Sequence, residues 1–192
     1  MVDPVETANE QIAEAHHEHG ENDPWPRRMA IAVSFLAAAL AFAEVGAKSS
    51  QTAYLTHHIG VSDTWNFYQA KNLRANLWET QIVLLESLPA AGDPAVREKI
   101  QNARTKAAHE RDDPGAGDGM KQLKQSAGRQ EEEREVAFHA YHGYEFTAGM
   151  LEISIVLASV SVVTKIRTLG LAASAMGLLA CAYGLAVYGH LT

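Results

Sequence analysis

Two glutamates stand inside apolar runs of this chain, Glu44 within Met29 to Ala47 and Glu152 within Phe146 to Thr164. A carboxylate at the centre of a membrane helix costs up to about 3 kcal/mol, so the chemistry open to such residues is ion or proton handling. Glu44 has Lys48 one helical turn further on, which favours local pairing. For Glu152 the structural alternative is a hydrogen bond between helices. A second group, Glu131, Glu135, His139, His142 and Glu145, falls on one side of a helix at i, i+4, i+8, i+11 and i+14. Such a stripe can ligate a metal, with Glu135, His139 and His142 as the candidate ligands and His57-His58 as a neighbouring source. Di-metal carboxylate bundles, however, place Glu-x-x-His pairs on facing helices. Here the order is His-x-x-Glu and no facing segment supplies a matching set, so the stripe is read as a solvated face with acid and base pairing, and no metal is assigned.

The imidazoles of His16-His17-Glu18-His19 sit in an acidic polar tail, residues 1–24, and receive no ligand role. That tail lacks the basic start and short apolar core of a signal peptide. No Ser-His-Asp order, phosphate-cradling Gly loop, CxxC or HExxH occurs, so neither catalysis nor a cofactor is expected. A net charge of −7 over 192 residues argues against a nucleic-acid partner, which requires a basic face. The single cysteine, Cys181, excludes an intrachain disulfide.

These residues must be positioned by membrane helices. Two apolar runs, 145–164 and 169–188, flank the basic connector Lys165-Ile166-Arg167-Thr168, and a third run lies within 25–47. Each is long enough to cross a hydrocarbon layer roughly 30 Å thick. The expected fold is an all-α membrane protein with three transmembrane helices and a long helical extramembrane hairpin, 48–144, between the first and second. Arg27, Arg28, Lys165 and Arg167 place the N-terminus and the connector on the cytoplasmic side and 48–144 on the periplasmic or extracellular side. The last span lines up Ala173, Gly177 and Cys181 at every fourth position, a spacing that lets helix backbones approach closely, within the chain or between subunits.

Within the hairpin the spacing predicts a helix that stops near Gly60 and a new one capped by Ser62 or Asp63. From Trp65 to Leu88, the positions Ala70, Leu73, Leu77, Leu84 and Leu88 form an apolar face that wants a partner helix. Pro89 and Gly92 end it, Ala95 to Asp112 is helical, and Asp113-Pro114-Gly115-Ala116-Gly117-Asp118-Gly119 breaks the chain. Met120 to Tyr144 meets no breaker except Gly143 and is expected to run into the second span as one rod.

Three blocks, Trp25-Pro26-Arg27-Arg28, Ser62-Asp63-Thr64-Trp65-Asn66-Phe67-Tyr68-Gln69-Ala70-Lys71 and Glu152-Ile153-Ser154-Ile155-Val156-Leu157-Ala158-Ser159-Val160, resemble a bacterial membrane-protein family catalogued as domain of unknown function 4337. The resemblance implies an architecture over nearly the whole chain and no activity. The resulting expectation is a non-enzymatic scaffold or accessory protein of the bacterial inner membrane. It would be a homo-oligomer or a subunit of a larger membrane complex. The alternative is a small oligomeric ion or proton conduit that uses Glu152.

Overall fold

The computed structural model describes residues 5–7, 10 and 24–189, so the His16, His17 and His19 cluster lies outside the described residues. Four long helices follow one another: α1 (Pro24–Glu86), α2 (Pro94–Arg111), α3 (Met120–Thr164) and α4 (Arg167–Gly189). No strand occurs among the described residues. Three of the helices, α1, α3 and α4, are long and apolar enough to cross a membrane. The chain divides after Ala53 and after Glu135 into two compact units, the flanking segments forming one and Tyr54–Glu135 the other.

The first unit is a three-helix bundle whose core residues recur at alternating steps of four and three. Met29, Val33, Leu36, Leu40 and Ala43 come from α1, Leu151, Ile155, Ala158 and Val162 from α3, and Ala173 and Ala180 from α4. Such a repeat keeps one seam of each helix toward its neighbours, the left-handed packing of bundles. The α3–α4 connection is only Lys165 and Ile166, and Lys165 takes the left-handed conformation, φ 60°, to turn the chain so sharply. Beside this turn Gly170 lies so close to Ser161, Trp25 and Met29 that a Cβ there would sit 2.5 Å from the Ser161 hydroxyl. Gly177 lies equally tightly against the Leu36 side chain of α1. The small residues of the last span therefore serve contact within the chain: Gly170, Ala173, Gly177 and Ala180 are buried, while Cys181 is half-buried at the edge.

The second unit holds the C-terminal part of α1, all of α2 and the start of α3. Its buried side chains are Val61, Lys71, Ala75, Ile100, Ala103, Ala107, Leu123 and Ala127. Asp93 caps α2 by accepting from the Ala95 N–H at 2.8 Å, with Pro94 at the first helical position, where the missing N–H costs nothing.

The break expected near Gly60 is absent: α1 runs through Gly60, Ser62 and Asp63 without interruption. A mid-helix Gly costs about 1 kcal/mol relative to Ala. Here it also admits the Gln130 side chain, whose Oε1 would be 3.3 Å from a Cβ at position 60. One turn on, Thr64 donates to that same oxygen at 3.1 Å, so tertiary contacts offset the local propensity. Downstream, α1 ends at Glu86, three residues before Pro89, and α3 continues unbroken through Gly143 into the second apolar run.

Candidate interaction face

Between Tyr54 and Glu86, α1 carries two heptad stripes on opposite sides. The inner one, Val61, Thr64, Tyr68, Lys71, Ala75, Trp78, Ile82 and Leu85, is buried or half-buried throughout. Polar and aromatic clamps fix its rotation. Trp65 Nε1 donates to Glu131 Oε1 of α3 at 3.1 Å, and His57 Nδ1 lies 3.3 Å from Glu133 Oε2. Lys71 Nζ sits 3.3 Å from Glu110 Oε2 and 3.0 Å from Asp118 Oδ1, and 5.6 Å from the centre of the Phe67 ring. Toward the end of the helix Glu79 pairs with Arg111, Glu86 pairs with Arg104 at 2.7 Å, and Lys106 stands 4.5 Å over the Trp78 ring.

With the inner stripe held this way, the outer stripe of Ala70, Leu73, Leu77, Thr80 and Leu84 faces away from the unit. Leu73, Leu77 and Leu84 are 62%, 60% and 62% exposed, and Leu88 is 43% exposed. The face that apolar spacing marks for a partner helix thus has none among the described residues. The reason is physical: the outer stripe has more leucine, but ion pairs, an indole N–H and a cation over an aromatic ring orient the helix by its other side. Spacing alone cannot rank those groups against leucine. Lys71, the buried cation, goes unmarked in the sequence because its carboxylates, Glu110 and Asp118, are distant in the chain. The available signal is its place in the three-and-four repeat that starts at Val61.

The other candidate residues are spread over the structure. Glu44 is exposed and Glu152 half-buried, and among the described residues no ion pair reaches either. Glu131 is taken up by Trp65. His142 Nδ1 lies 3.3 Å from Glu145 Oε2, with its ring centre 4.4 Å from that of Phe138, and Tyr141 donates to Glu145 Oε1 at 3.2 Å. Glu135 and His139 also have partners. His57 leans on Glu133 and His58 stacks on Tyr54, ring centres 5.8 Å apart. Among the described residues no three His, Cys, Asp or Glu side chains gather where they can hold a metal ion.

The bundle unit contains a cavity of about 710 Å³ beside Phe35, Phe42, Leu151, Cys181 and Leu185, with Ser49, Ser50, Tyr144 and Tyr188 at one end. Neither Glu44 nor Glu152 lines it, and no residue charged at neutral pH does. Apolar chains fit such a lining better than ions do.

No curated protein and no solved structure matches this chain. Residues 25–190, from the Trp25 turn through the last apolar helix, match the model of the family described as Domain of unknown function (DUF4337). That stretch covers the second unit whole, most of the first and, but for Pro24, every helix built above, and the chain belongs to this family.

Proposed function

We propose that the protein is a non-enzymatic scaffold or accessory protein of the bacterial inner membrane, with residues 48–144 presented on the periplasmic side as an interaction module. The observation that carries this reading is the exposed leucine stripe of α1, since contiguous apolar surface on a folded unit marks a contact site. Support for the orientation comes from the basic residues: Arg167 lies 5.9 Å over the Trp25 ring, next in sequence to Arg27 and Arg28, so the cations gather at one end of the bundle. A conduit has support from Glu152, but the bundle core around Val33, Leu151 and Ile155 is fully buried, and among the described residues its polar members are the hydroxyls of Thr147, Ser154, Ser159 and Ser161, with no charged side chain.

The experiment is reconstitution of the purified protein in vesicles, with the Glu152→Gln variant alongside. The amide keeps the size and much of the hydrogen-bonding capacity of a protonated carboxyl group. A scaffold gives no ion or proton flux from either. Flux in the parent that disappears in Glu152→Gln overturns the proposal and installs the conduit.

A further inference from the structure

We infer that the outer stripe of α1 is covered by the same stripe of a second copy, the two helices pairing in parallel and in register as a short two-stranded coiled coil. This names the occupant of the interaction face and rests on the reading of that face as a docking surface. The stripe has the heptad form such pairing requires, Ala70, Leu77 and Leu84 at one core position and Leu73 and Thr80 at the other, all within the helix that ends at Glu86. Self-pairing is also permitted by charge. In a parallel pair each position preceding a core residue meets the position following one on the partner, which sets Gln69 beside Arg74 and Asn76 beside Gln81. In a chain of net charge −7, where identical surfaces tend to repel, no acidic residue stands on this face from Gln69 to Leu84, and Asp63, one heptad before Ala70, marks where the pairing must begin. Beside the stripe, Glu79 and Glu86 point back to Arg111 and Arg104 of their own chain.

Less than three heptads of unaided helix would not associate in water, because short helices are themselves marginal there. Two features remove that cost. The helix is already held by its own unit, through Trp65, Lys71 and Trp78. Membrane anchoring then confines copies to one layer with one topology, so their chains leave the bilayer at the same residue and their stripes begin level, at a high effective concentration.

The test uses full-length protein in vesicles, with Cys181→Ala as background and single cysteines at Leu77→Cys, a core position, and Asn72→Cys, an exposed position off the stripe. Disulfide formation requires Cα atoms within about 7 Å, so Leu77→Cys should oxidise to a dimer at least about tenfold faster than Asn72→Cys. Adding Leu73→Glu and Leu84→Glu should abolish the Leu77→Cys dimer while circular dichroism keeps the helix content of the parent. Equal rates at the two cysteines, or a dimer that survives both glutamates, overturns self-pairing. The docking reading is separated by the protein purified from its native membrane. If Leu77→Cys does not pair but Leu73→Glu with Leu84→Glu strips a copurifying component, the face docks a different protein and the second copy is excluded. If the glutamates change neither, both readings fall.

Discussion

Lys71 is 7% exposed, and its ammonium is held by the carboxylates of Glu110 and Asp118, one from α2 and one from the turn that follows it. Removing one member of a fully buried charge cluster leaves the rest uncompensated, at a cost of roughly 3–5 kcal/mol. Because the Asp118 side chain is 39% exposed, water relieves part of that cost, and Lys71→Met should destabilise the protein by about 2 kcal/mol. Chemical denaturation followed by circular dichroism checks it. Adding Asp118→Asn to Lys71→Met should recover part of the loss, since Asp118 is the carboxylate left stranded, whereas Glu110 keeps Arg74 at 3.6 Å. Two neighbours respond to acid instead. The Gln122 side chain, helped by Lys121, holds the Asp112 carboxyl below its ordinary range, and the Ala116 backbone N–H, helped by His109, does so for Asp113. A carboxyl group depressed on folding adds stability above its unfolded value near 3.9, and that stability is lost as pH falls through the lower folded value. The α2–α3 turn should therefore hold at neutral pH and loosen only in acid. Carboxyl NMR titrations should place both midpoints below about 3.9, and Gln122→Ala should return Asp112 toward that ordinary value.

At the scale of elements, the close approach of α4 to α1 is set by Gly177, where any side chain meets Leu36. Gly177→Leu overpacks that contact and should cost about 1–3 kcal/mol, read as a lower unfolding temperature in detergent. Gly149, in the apolar part of α3, has open space around an added Cβ. Gly149→Leu should be neutral or slightly stabilising, because leucine is the better helix former. An equal loss at both positions would show that close approach is not what the glycine supplies. The helix lengths follow a related logic. The sequence from Met120 to Thr164 contains no Pro, and α3 is accordingly continuous. Gly60 misled the reading of α1 because a lone glycine is a weak breaker, and the contacts with Gln130 and Glu131 outweigh it.

For the whole molecule the decisive quantity is its orientation in the membrane. Single cysteines in a Cys181→Ala background at Gln125 and Thr168, both exposed, report it with an impermeant thiol reagent on intact cells. Labelling is expected at 125 and not at 168, following the cationic end formed by Arg27, Arg28, Lys165 and Arg167. The reverse pattern would turn the protein over and move the leucine stripe to the cytoplasm.

The order of elements, the three apolar helices and the breaker at 113–119 were determined by the sequence itself, because length, apolar content and Gly/Pro chemistry act locally. The choice between the two faces of α1 belonged to the tertiary structure. Both faces repeat at helical spacing, and the buried one was selected by partners far along the chain, Glu110, Asp118 and Glu131. Equally non-local is the service of Gly177 to an intrachain contact, since its neighbour Leu36 is 141 residues away in the chain. Periodicity shows that a helix has a face to bury; only the assembled side chains decide which face and against what.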